Sequence, residues 1–128
     1  MPAKIISTKN APAAIGTYSQ AVLAGNLAFI SGQIPLVPET MNVVDGDIDA
    51  QIEQVFANLT AICEAMKADL NQVVKFTVYL TSLEHFPRVN AVMERLLTQP
   101  YPARAVVEVS ALPKGVMVEV DAVVALNA

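Results

Sequence analysis

Apolar residues recur along this chain with two periods, and the changes between them mark its elements. From Ile48 to about Ala68 the spacing is helical: Ile48, Ile52, Val55, Phe56, Leu59, Ile62, Cys63 and Met66 fall on one stripe. Asp47 precedes it, where a carboxylate can cap the first free amides. A second stripe, Leu83, Phe86, Val89, Met93, Leu96 and Leu97, predicts a helix that starts at a Ser82 cap. Pro87 is compatible with it if a loosened or 3₁₀ first turn comes before. Between the helices the period drops to two. Val74, Phe76, Val78 and Leu80 share one face of a strand, and Val73, Lys75, Thr77 and Tyr79 share the other.

The first third reads as strands and loops. Lys4 to Ser7 is a short strand, and Ala11 to Gln20 is a loop bent at Gly16 that carries Tyr18. Ala21 to Ala24 and Leu27 to Ser31 flank Gly25-Asn26, which fits a two-residue type II′ hairpin. The second of these strands ends in Ser31-Gly32-Gln33. Glycine there marks a bulge or turn, or a place where another group approaches the backbone closely. A loop with Pro35, Pro38 and Gly46 leads to Asp47.

The last stretch, Pro102 to Leu126, reads as two strands joined by Leu112-Pro113-Lys114-Gly115. In the first, Arg104, Val106 and Glu108 alternate with Ala105, Val107 and Val109; in the second, Met117, Glu119 and Asp121 alternate with Val116, Val118 and Val120. Taken as a hairpin, the registers that keep apolar faces together place Arg104 on the face of Glu119 and Asp121. Two readings of that face stay open. One is a cross-strand ion pair, Arg104 with Asp121. The other is an anion-binding arginine with a carboxylate beside it in a pocket.

Composition changes this picture in one respect. The 128 residues suit one domain, spanning 1–128, but 54% are hydrophobic and 16% charged. Two helices cover one face of a mixed or mostly antiparallel sheet. The other face then needs a cover, which predicts an oligomer. The net charge of −4 and the scattered cations argue against a nucleic-acid ligand. One Cys and one His make neither a disulfide framework nor a zinc site. Cys63 lies on the first helical stripe as a small hydrophobe, and His85 sits near a helix start as an exposed cap. No apolar run reaches about 18 residues, so neither a membrane span nor a signal segment is expected, and the chain reads as soluble and cytoplasmic.

Several short stretches together carry a resemblance. Gly16-Thr17-Tyr18-Ser19-Gln20-Ala21, Ser31-Gly32-Gln33-Ile34-Pro35, Val89-Asn90, and Pro102-Ala103-Arg104 with Leu112-Pro113 and Val118-Glu119-Val120 resemble the RidA/YjgF family of enamine and imine deaminases. The resemblance covers nearly the whole chain. It implies a chorismate-mutase-like α+β fold with two helices on one face of a mixed sheet. It implies a homotrimer with active sites between subunits, and hydrolysis of 2-imino or enamine acids to 2-keto acids and ammonia without a cofactor or metal. In that reading Arg104 grips the substrate carboxylate and Glu119 holds the attacking water, with Tyr18 and Ser31 lining the cleft. Gly32, Asn90 and Val106 are expected in the substrate-binding shell. Val106 stands where archetypal deaminases of the family carry Cys, so any role there falls to its backbone amide. The chemistry suits the residues: a planar guanidinium fork fits a carboxylate, and an ionised Glu119 can accept a proton from water. A trimeric module that binds small carboxylates or proteins without catalysis is the competing reading.

Overall fold

A computed structural model describes residues 4–126. Six strands form one sheet: β1 (Lys4–Ile6), β2 (Ala21–Ala24), β3 (Leu27–Gln33), β4 (Val73–Leu80), β5 (Ala103–Glu108) and β6 (Val118–Ala125). Two helices, α1 (Ile48–Ala65) and α2 (Phe86–Leu96), pack on one side of it. The order across the sheet is β1-β2-β3-β6-β4-β5. Neighbours run antiparallel except β4 and β5, which are parallel. This is the mixed α+β architecture expected from the sequence.

The local rules hold at most boundaries. Asp47 accepts a hydrogen bond from the Ala50 amide and caps α1. Gly25 takes a positive φ while Asn26 does not, as a type II′ turn requires. Ser82 caps a 3₁₀ turn, Leu83–His85, that precedes α2 and admits Pro87 in its first turn. Leu83 therefore lies outside the helix and is exposed, unlike the rest of its stripe. The helix α1 stops at Ala65, shorter than its apolar stripe, because Lys67 adopts a left-handed conformation.

The core is aliphatic with one aromatic pair. Phe56 of α1 meets Phe76 of β4 edge-on, with centroids 5.8 Å apart. Both rings are fully buried, and such a pair adds about 0.5–1.5 kcal/mol beyond the area it buries. Ile52, Leu59, Ile62 and Cys63 of α1 face Val78 and Leu80 of β4 and Val118 and Val120 of β6. Val74 does not join Phe76 on this face. A register shift between Val73 and Lys75 lets Val73 turn inward and leaves Val74 exposed.

The final strands correct the sequence reading. β5 and β6 are not a hairpin, since β4 lies between them. The nine residues between Glu108 and Val118 carry the chain over β4, across two strand spacings of about 4.8 Å each. Lys114 and Gly115 both take positive φ in that connection. Arg104 pairs with Phe76, so it faces the helices; Glu119 pairs with Tyr79 and faces the open side. The two residues thus lie on opposite faces of the sheet, and the shared face expected for them does not exist within one chain. The valines divide too: Val118 and Val120 enter the core, while Val107 is 41% exposed on the open face with Phe29 at 46%. No helix among the described residues is long and apolar enough to cross a membrane.

Candidate active site

The Glu119 side chain is placed by a defect in β3. Ile30 pairs with Ala122 and Gln33 with Val120, so Ser31 and Gly32 together oppose Asp121. That extra residue is a β-bulge. Gly32 lies directly against the carboxylate of Glu119. A Cβ on residue 32 would stand 2.1 Å from Glu119 Oε2 and 3.0 Å from Cδ. Bulge and close approach, alternatives in the sequence, are one feature here.

Around this carboxylate lies a cleft of about 630 Å³, with Tyr18, Ser31, Gly32 and Glu119 in its lining. Ser31 is tied down on both sides. Its hydroxyl donates to the Ser19 carbonyl at 2.6 Å, and its amide donates to the Gln20 carbonyl at 3.0 Å. The hydroxyl hydrogen is committed, so the oxygen's lone pairs remain as acceptors. Tyr18 is half exposed above the cleft. Burial, and then the charge of Asp121, raise the Glu119 carboxyl above the ordinary glutamate range. It is a stronger base than a solvated carboxylate, which suits a group that accepts a proton from water.

Arg104 occupies a second cleft of about 490 Å³, between β5 and α2. Its Nη1 donates to Asn90 Oδ1 at 2.9 Å and lies 3.8 Å from Met93 Sδ. The guanidinium carbon stands 5.1 Å from the Phe86 ring centroid, a cation–π distance. Asn90 is itself held, donating from Nδ2 to Glu94 at 2.9 Å. Among the described residues no carboxylate lies within ion-pair distance of Arg104. The cross-strand pair of Arg104 with Asp121 is not formed. Asp121 instead accepts a hydrogen bond from the Tyr79 hydroxyl at 3.0 Å, and that bond raises the Tyr79 pKa. Val106, opposite Val78 and part-buried, is two residues further along the same face as Arg104.

The structure therefore gathers the predicted residues into two groups. Tyr18, Ser31, Gly32 and Glu119 form one; Arg104, Asn90 and Val106 lie on the other face. Sequence reasoning missed Phe86, which it placed in the core stripe but which also carries the guanidinium. It also missed Gln20. This buried side chain donates to the Ala11 and Pro12 carbonyls at 3.3 and 2.7 Å and accepts from the Thr8 amide at 2.7 Å. Those bonds hold the loop that walls the Glu119 cleft. A glutamine at a strand start carries no local signal of this kind.

Comparison with known proteins adds the following. The family model described as Endoribonuclease L-PSP matches residues 8–126. A Myxococcus xanthus protein named Protein DfrA is 52% identical over 125 residues, covering 96% of this chain and 95% of its own. A Dermatophagoides farinae protein named 2-iminobutanoate/2-iminopropanoate deaminase is 41% identical over 126 residues, covering 98% of each. Among solved structures, RidA from the Antarctic bacterium Psychrobacter sp. PAMC 21119 superposes with a TM-score of 0.91 at 53% identity, covering 95% of this chain and 98% of that one. E. coli TdcF with bound serine superposes with a TM-score of 0.87 at 37% identity, with the same coverage.

Proposed function

The chain belongs to the RidA/YjgF family, the one described as Endoribonuclease L-PSP, and from that premise we propose that it is a hydrolase of reactive 2-imino and enamine acids. The products are 2-keto acids and ammonia, and the role is removal of damaging imines. The working unit in this reading is a homotrimer. Arg104 of one subunit takes the substrate carboxylate through its planar fork. Glu119 of the neighbouring subunit orients a water molecule and accepts its proton as the oxygen adds to the imine carbon. Glu119 passes that proton on to the nitrogen, and the carbinolamine collapses as its hydroxyl proton also transfers to nitrogen, releasing ammonia and leaving the ketone. Ser31 and Tyr18 border the reacting atoms. Asn90 and Phe86 hold the guanidinium flat and ready, and the Val106 amide is available to the carboxylate.

One observation carries this reading: a half-buried carboxylate of raised pKa, seated over the Gly32 bulge and open to a cleft. Arg104, free of any carboxylate among the described residues, supplies the complementary half. The two halves lie on opposite faces of one sheet, so an assembly is needed to bring them together. The open face, with Phe29 and Val107 exposed, gives neighbouring subunits an apolar surface to cover. A relative named 2-iminobutanoate/2-iminopropanoate deaminase at 41% identity and serine bound to a structural neighbour fit the same substrate chemistry. The net charge of −4 and dispersed cations disfavour a phosphate-backbone ligand.

The test uses 2-aminoacrylate and 2-iminobutanoate generated in place, with keto acid and ammonia followed against the spontaneous rate. Acceleration by the wild-type protein, lost in Glu119→Gln while keto-acid binding persists, is the expected result. Saturable keto-acid binding without any acceleration would leave a carboxylate-binding module instead.

A further inference from the structure

One charged side chain at the Arg104 cleft has no part in the chemistry above. The helix α2 carries Arg88, Glu94 and Arg95. Both arginines reach across to α1: Arg88 Nη1 pairs with Asp49 at 2.7 Å, and Arg95 pairs with Glu53. Those pairs fasten one helix to the other. Glu94 turns instead along α2, where its Oε1 accepts a hydrogen bond from Asn90 Nδ2 at 2.9 Å.

The spacing explains the contact. Phe86, Asn90 and Glu94 follow one another at intervals of four, so they form a row on the helix surface. The first two meet the Arg104 guanidinium directly, Phe86 with its ring centroid 5.1 Å away and Asn90 with its Oδ1 at 2.9 Å from Nη1. Glu94 stands one step behind, bonded to the other end of the same amide. Asn is a weak helix former, so helix stability does not explain its place in mid-helix.

The partners fix the direction of that amide. A guanidinium only donates and a carboxylate only accepts. Asn90 lies between them with one accepting end and one donating end, and a single orientation satisfies both. Turning the amide over would set its NH₂ against the guanidinium and its oxygen against the carboxylate. Glu94 is thus coupled to Arg104 through two charge-assisted bonds. The contact it secures is on Nη1; among the described residues Nε and Nη2 have no hydrogen-bond partner. The Nε–Nη2 edge is left for a two-point grip on a carboxylate.

We propose that Glu94 is a positioning residue for carboxylate binding: it locks the Asn90 amide, and the amide sets which edge of Arg104 meets the substrate. The identity of that carboxylate rests on the deaminase reading above.

The experiment titrates 2-ketobutyrate into wild type, Glu94→Gln, Glu94→Ala and Glu94→Lys, and measures KM and kcat with 2-iminobutanoate generated in place. Glu94 is exposed, and Gln, Ala and Lys are strong helix formers, so α2 should stay folded. If Glu94 acted only through its charge it would repel an anionic ligand, and removing or reversing that charge would tighten binding. Locking predicts the opposite order. Glu94→Gln keeps an acceptor and should bind within about twofold of wild type. Glu94→Ala should weaken keto-acid binding by about three- to tenfold, and Glu94→Lys, which can only donate to the amide, by more. KM should rise in step while kcat changes little. In an Asn90→Ala background Glu94→Ala should have no further effect, because its route to Arg104 is gone. Alanine and lysine variants that bind 2-ketobutyrate as tightly as wild type, or an alanine effect that persists in full without Asn90, would overturn the proposal. A wild type that neither binds the keto acid nor accelerates the imine would instead end the deaminase reading.

Discussion

Replacing Gly32 by alanine should separate the site from the fold. The added Cβ would stand 2.1 Å from Glu119 Oε2, whereas a carbon–oxygen contact needs about 3.3 Å. The carboxylate must therefore retreat by about 1.2 Å, the difference of those two figures. The atom that moves is the end of a flexible side chain, so the strand itself need not shift. Gly32 is also absent from the positive-φ residues, so alanine fits the backbone there. Removing a glycine stiffens the unfolded chain by about 0.4–1 kcal/mol, which offsets part of any local strain. The melting temperature should change by only a few degrees. A displacement of about 1 Å in a catalytic group can cost about 100-fold in rate, and that is the expected fall in kcat. Arg104 is untouched, so keto-acid affinity should hold. The assay pairs imine turnover with keto-acid titration and a melting curve. Wild-type kcat in a folded Gly32→Ala protein would refute the reasoning, because it would show that the position of Glu119 does not matter.

Two further outcomes follow from the electrostatics. Glu119 must be ionised to take a proton, and its pKa is raised by burial and by Asp121, so activity should fall as pH drops through that raised value. Asp121→Asn removes the second cause and should move the acidic limb of kcat/KM to lower pH; an unmoved limb would assign it to another group. Burial, with Asp69 and Glu64 nearby, pushes the Cys63 thiol up to about 12, so thiol reagents should label the native protein orders of magnitude more slowly than the unfolded chain. Rapid stoichiometric labelling without denaturant would contradict its place in the core.

Much of the architecture could be read from periodicity. The α1 stripe, the Asp47 cap, the Gly25-Asn26 hairpin and the inward faces of β4 and β6 all follow from local rules. The position of β5 did not, because alternation says which residues share a face but not which strand lies alongside. Leu112 to Gly115 has the chemistry of a tight turn, yet it sits in a nine-residue connection long enough to cross a strand. The decisive signal was the order strand, helix, strand over β4, α2 and β5, the pattern of a parallel crossover. Missing it placed Arg104 beside Glu119. The resemblance named Arg104 and Glu119 together, but only the register shows that they cannot meet within one chain. Gln20 was not legible, since its role depends on loop carbonyls that the sequence does not place.

The central claim is that Arg104 of one subunit and Glu119 of another serve a single site. It is tested most directly by mixing two inactive variants. Arg104→Ala and Glu119→Gln subunits, differently tagged, are co-expressed and the mixed trimers purified. In a cyclic mixed trimer of either composition, one of the inter-subunit sites draws its arginine from a Glu119→Gln subunit and its glutamate from an Arg104→Ala subunit, so about one third of sites regain both. The account predicts imine deaminase activity of about one third of wild type from two parents that each have almost none. Mixed trimers as inactive as their parents would contradict it, because the two residues would then have to act from the same chain.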